Sequence, residues 1–128
     1  HDILGNLKTG MEAYFDWNLL LNVQGGPNHV GNYCAAPVMC DGNGGIEKRL
    51  SYYYIGQFSR YVKPGARRIP ASCYTSGLET VAFVNPDKSR VTVLLNPTEK
   101  AIPVCLTEDG EGVSLLVEAH TVCTVMYE

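Results

Sequence analysis

Asp16, Trp17 and Asn18 place a carboxylate, an indole and an amide at consecutive positions, ahead of the apolar run Leu19-Leu20-Leu21. Asn22 follows, and then the glycine-rich stretch Gly25-Gly26-Pro27-Asn28. A buried strand rarely tolerates three polar groups in a row unless each has a partner. A strand that breaks into a polar loop is also how a parallel barrel presents its site at its C-terminal face. These groups donate and accept hydrogen bonds, so the chemistry open to them is recognition.

Other reactive arrangements are not evident. His1, His29 and His120 are too scattered to propose a metal site, and there is neither a Ser-His-Asp pattern nor G-x-S-x-G. Gly42 to Gly45 lacks the Lys-Ser/Thr of a phosphate cradle. Glu12, Glu47, Glu79, Glu99, Glu108, Glu111 and Glu118 read as solvated surface. Cys34, Cys40, Cys73, Cys105 and Cys123 show no C-x-x-C spacing. An odd count argues against a full disulfide framework and favours small buried thiols in a reducing, cytoplasm-like compartment. No metal and no cofactor is expected.

The elements that must hold the polar stretch come next. Ile3, Leu4, Leu7 and Met11 recur at helical spacing over residues 1–12. Residues 14–21 predict a strand and residues 22–36 a long loop, with a short extended piece at 37–40 and a turn at 41–45. Leu50, Tyr54, Phe58 and Tyr61 mark a helix over 48–62, stopped by Pro64-Gly65. From Ile69 onward, β-rich runs at 80–84, 91–95, 102–106, 113–117 and 121–127 alternate with turns, a pattern of an antiparallel sandwich or barrel. Asn85-Pro86-Asp87-Lys88 is expected to close a hairpin.

The chain has 128 residues and a net charge of −3. A complete β/α barrel needs at least ~200 residues, so one compact domain fits and a barrel does not. The opening His1-Asp2-Ile3-Leu4 reads as the inside of a helix, as in a piece of a longer chain. There is no broad basic face for nucleic acid and no apolar run to span a bilayer.

The stretch Asp16 to Asn22, the loop Gly25 to Asn28 and the pair Asn32-Tyr33 resemble the D-W-N-L-x-L-N strand, G-G-P-N loop and Asn-aromatic pair of glycoside hydrolase family 30, the glucosylceramidase-like retaining β-glycosidases. Tyr53 to Gly65 resembles that family's last barrel helix, and Val91 to Asn96 a strand of its C-terminal sandwich. Three separated motifs in order are far more specific than any one of them. The resemblance implies the last β/α unit of a TIM (β/α)8 barrel, residues 1–65, followed by an antiparallel β-sandwich, residues 66–128, in a mostly β chain. It implies that Trp17, Asn32 and Tyr33 contact a β-linked glycoside, with Trp17 on a sugar face, Asn32 on hydroxyls and Tyr33 toward the leaving group. Asp16 and Asn18 would hydrogen-bond inside the barrel, on the opposite side of the strand from Trp17. The two carboxylates of a retaining glycosidase belong to barrel strands absent from this chain, so none here is catalytic and the chain alone is expected to be inactive. His29 and Gly31 stand where the family often has an aromatic and a basic residue, which leaves the aglycone open.

Plainer readings stand beside these. A lone Trp is often core, and an Asn in a loop often only forms a turn. The chain as a whole is alternatively a non-catalytic carbohydrate-binding or structural β-sandwich module. The expected partners are a glycoside, the rest of the barrel and, in its absence, further copies of the chain in a homo-oligomer, because an unpaired barrel strand exposes its backbone edge.

Overall fold

The computed structural model describes residues 1–128. They form two compact units, residues 13–56, and residues 1–12 together with 57–128. In chain order the elements are α1 (Asp2–Lys8), β1 (Leu20–Leu21), β2 (Val38–Cys40), β3 (Ile46–Lys48), α2 (Leu50–Ser59), β4 (Arg67–Ile69), β5 (Glu79–Val84), β6 (Arg90–Asn96), β7 (Ile102–Glu108), β8 (Glu111–Val117) and β9 (Thr121–Tyr127). No helix is long and apolar enough to cross a membrane.

The larger unit is built around β6. Strands β4, β5, β6 and β9 form an antiparallel sheet in that order, and β7 pairs with β8 in a second sheet. Residues Val91 to Asn96 are all buried, which is why this strand reads as a continuous run and not as an alternation. One set, Val91, Val93 and Leu95, packs with Val81, Phe83 and Leu4, against Leu7, Phe58, Tyr61 and Val62. On the other face Leu94 packs with Leu78 and Val117, against Ile102, Val104 and Leu115 of the second sheet. The main sheet is thus covered by helical residues on one face and by the β7–β8 hairpin on the other.

Turn chemistry sets the registers. Asn85 N–H donates to the Ser89 carbonyl at 2.9 Å, and Lys88 takes the left-handed φ of 71° that closes the β5–β6 hairpin. Asp109 and Gly110 join β7 to β8 with φ of 51° and 88°. Positive φ at both central residues is the demand of a type I′ hairpin, which an Asp-Gly pair meets at low cost.

In the smaller unit β1 pairs in parallel with β2, and β2 runs antiparallel to β3. The expected strand over 14–21 is reduced to Leu20–Leu21. Asn18 sits at φ 60°, which no extended strand accommodates, and β1 has a partner on one side alone. Residues 16–18 are therefore a bend, and the alternation that would send Asp16 and Asn18 opposite to Trp17 does not apply to them. The helix expected over 48–62 spans Leu50–Ser59, and its predicted face divides. Phe58 and Tyr61 join the β6 core, while Leu50 and Tyr54 are exposed. Strands β3 and β4 were not expected. Three residues carry no readable period, and each strand exists through its neighbour, Met39 opposite Glu47 and Phe83 opposite Arg68.

Candidate functional site

The polar stretch and its loop lie within the unit of residues 13–56. A small core of Leu21, Ala36 and Met39 anchors them. The chain leaves this core after Leu21 and returns to it at Ala36, whose N–H donates to Met39 Sδ at 3.3 Å. Between these points the loop is ordered by its own backbone. Asn22 Oδ1 accepts from the N–H groups of Gln24 and Gly26 at 3.0 and 2.9 Å. Asn22 N–H donates to the Gly26 carbonyl at 2.7 Å, and Gly25 N–H to the Asn22 carbonyl at 2.9 Å. Cys34 N–H then donates to the Gly25 carbonyl at 3.2 Å, joining the start of the loop to its end. The Gly26–Pro27 peptide is cis.

Residues 27–33 form the exposed tip. Asn32 and Tyr33 occupy its last two positions, directly before the pinned Cys34, and Tyr33 is 64% exposed. His29 and Gly31 are also on this tip. Trp17 is 77% exposed, so it is not a core residue of this unit. Asp16 and Asn18 are exposed, and Asp16 Oδ1 accepts from the Trp17 backbone N–H at 2.8 Å. The side chains of Trp17, Asn32 and Tyr33 thus share one unit and one condition: large or amide-bearing groups held out to solvent. That arrangement suits a ligand that takes hydrogen bonds at its edge and ring contact on its face.

Sequence reasoning passed over Asn22 as a loop organiser. An Asn two to four residues before a Gly pair is an Asx-turn signal, and it was there to be read.

The carboxylates are not uniformly solvated. Glu79 is half-buried and meets His1 Nδ1 at 2.7 Å, and Glu108 is half-buried against Arg90 Nε. Arg90, Leu106, Glu108, Val113 and Tyr127 line an open groove of about 500 Å³ in the β unit. Burial, aided by a hydrogen bond with Glu108, pushes the Tyr127 phenol above its usual range. Asp109, Glu111 and Glu128 line it as well, so the groove is rimmed by carboxylates and lacks an amide side chain of the kind the loop presents. Phe83 is buried in the sheet, and Tyr74, which is exposed, stands outside the strands as a single ring.

Residues 1–62 match the Glycosyl hydrolase family 30 TIM-barrel domain, and residues 65–125 match the Glycosyl hydrolase family 30 beta sandwich domain. The chain belongs to glycoside hydrolase family 30. It holds the end of the barrel domain and the sandwich, in the glucosylceramidase-like branch of that family. The lysosomal acid glucosylceramidase of Mus musculus is 34% identical over 114 residues, a match that covers 88% of this chain and 22% of the mouse protein. Among solved structures, SrfJ from Salmonella typhimurium is 41% identical with a TM-score of 0.95, over 99% of this chain and 29% of that one. The endo-beta1,6-glucanase BT3312 is 30% identical with a TM-score of 0.88, over 96% of this chain and 28% of that one. The family 30 chain therefore spans about a quarter of the length of the relatives it matches.

Proposed function

We propose that this family 30 chain supplies part of the sugar pocket, and the β-sandwich, of a retaining β-glycosidase. The observation that carries the reading is the solvent-facing trio of Trp17, Asn32 and Tyr33 on the bend and loop that bear the family motif. Trp17 covers a sugar face and donates from its indole N–H. Asn32 donates to and accepts from hydroxyls, and Tyr33 borders the leaving-group side. Residues 1–65 complete the barrel in this reading, and residues 66–128 form the sandwich.

The reaction itself is a double displacement between two carboxylates ~5–5.5 Å apart, which the remainder of the enzyme provides. Binding groups such as these raise the rate only to the extent that they hold the transition state more tightly than the ground state. The 128 residues alone are expected to be inactive on aryl β-glycosides. Turnover by them that disappears on changing one of their own Glu residues would overturn that assignment.

The test uses the full-length enzyme. Trp17→Ala is expected to cost ~1–3 kcal/mol in kcat/KM, the scale of a lost hydrogen bond and ring contact. NMR of the first-formed product should show retention of the anomeric configuration. An unchanged kcat/KM in a folded Trp17→Ala enzyme removes Trp17 from the site, and an inverted product removes the double displacement.

A further inference from the structure

We infer that Asn22 and Gly25 are positioning residues for Asn32 and Tyr33, a role that rests on reading this loop as a sugar contact. The structure ties the two ends of the loop together at one point. Gly25 and Gly26 are buried beneath an otherwise exposed loop, and the Gly25 carbonyl holds the Cys34 N–H. Residues 26–33 therefore close on themselves as a compact surface loop of the Ω type, whose conformation depends on how its ends are held.

Gly25 is required twice over. Its φ is 86°, and a Cβ there would lie 2.4 Å from the Cys34 carbonyl oxygen and 3.0 Å from the Cys34 nitrogen. Ordinary contact begins at 3.4 Å, so any side chain must push the Cys34 backbone away by about 1 Å. Asn32 and Tyr33 directly precede Cys34 and move with it, because the trans chain links successive residues rigidly at ~3.8 Å. A misplacement of ~1 Å in groups that orient a substrate costs ~10²-fold in rate.

Asn22 holds the other side of the closure. The two loop N–H groups that its side chain receives, from Gln24 and Gly26, both go to Oδ1. An aspartate in its place keeps those acceptors, and an alanine keeps neither. Gly44 is the natural control for backbone strain. It has a φ of 92°, lies in the same unit and has no atom within 4 Å of its missing Cβ.

The experiment compares Gly25→Ala, Gly44→Ala, Asn22→Ala and Asn22→Asp in the full-length enzyme. It reads kcat/KM on an aryl β-glycoside, thermal unfolding, and the rate of chymotrypsin cleavage after Tyr33. Gly25→Ala is expected to lower kcat/KM by ~10²-fold and to speed cleavage at Tyr33. Gly44→Ala should change neither, although both glycine variants lose thermal stability. Asn22→Ala should act in the direction of Gly25→Ala, and Asn22→Asp should restore both readouts. Should Gly25→Ala fail to fold, the Asn22 pair decides. Equal losses of kcat/KM in Gly25→Ala and Gly44→Ala, or equal losses in Asn22→Ala and Asn22→Asp, overturn the positioning role while leaving the glycosidase reading intact. An inactive wild-type enzyme overturns that reading and the inference with it.

Discussion

Asn96 shows how one amide organises the end of the sandwich. It is fully buried at the last position of β6. Its Nδ2 faces the carbonyls of Lys100, Val117 and Glu118 at 2.8, 3.0 and 2.9 Å, and its Oδ1 accepts from the N–H and hydroxyl of Thr98 at 3.0 and 2.7 Å. Asn85 does the same at the other end of the sheet, donating to the Tyr61 carbonyl and accepting from the Lys63 N–H. No buried side-chain nitrogen or oxygen is left without a partner. Removing Asn96 strands the buried Val117 carbonyl and the part-buried carbonyls of Lys100 and Glu118, which then bear a desolvation cost. Asn96→Ala is expected to lower the unfolding free energy by about 2–3 kcal/mol, as read by urea denaturation of the full-length enzyme, with Asn96→Asp also destabilising because a carboxylate would face carbonyl oxygens. A change within experimental error would show the network to be dispensable. The expectation of buried thiols fails for Cys34, Cys73 and Cys105, which are exposed, while partial burial raises the thiol pKa of Cys123.

At the scale of elements, the β5–β6 hairpin carries the clearest pH dependence. Lys63 Nζ donates to Asp87 Oδ2, and Ser89 donates to Oδ1 from both its hydroxyl and its N–H. The Lys63 hydrogen bond first, and the Ser89 hydroxyl second, hold the Asp87 carboxyl down at about 2. A carboxyl depressed in the fold adds stability that is present above its ordinary pKa and is lost as pH falls through the folded value. Both side chains are about half exposed, which limits the size of the effect, since water screens the pair. The melting temperature of the wild type should therefore fall toward that of Asp87→Asn between about pH 4 and pH 2. A constant gap between the two across that range would contradict the assignment. The helix α2 makes a second point at this scale. Phe58 serves the β6 core while Leu50 stays 70% exposed, so only the C-terminal end of the apolar pattern finds a core to cover.

The whole molecule is uneven in how its units satisfy themselves. The β6 unit has two apolar clusters, one on each face of its main sheet. The unit of residues 13–56 has a core of three buried residues and leaves Phe15 90% exposed, with Leu19, Val23 and Val30 also exposed. Strand β1 is an open edge, and unpaired edges recruit other chains. Produced as these 128 residues, the chain is expected to self-associate through this unit. Light scattering at several concentrations would measure it, with a mass that rises with concentration and drops on Phe15→Glu. A monomer independent of concentration would refute the expectation.

Much of this was local enough to be read in one dimension. The runs at 80–84, 91–95 and 113–117, the Asn85–Lys88 turn and the helix that stops before Pro64 follow from period and turn chemistry, which depend on near neighbours. The order of the family motifs was equally legible. Tertiary structure alone decided the rest. Ile46–Lys48 and Arg67–Ile69 are strands because of their partners, Asn18 breaks the strand expected over 14–21, and Leu4 and Leu7 of α1 with Phe58, Tyr61 and Val62 pack on one face of the β6 sheet. The same holds for the contact between Gly25 and Cys34. A residue's type states what it can donate, accept or fill; which atoms it meets is set by chain segments brought together from far along the sequence, and no short-range pattern encodes that distance.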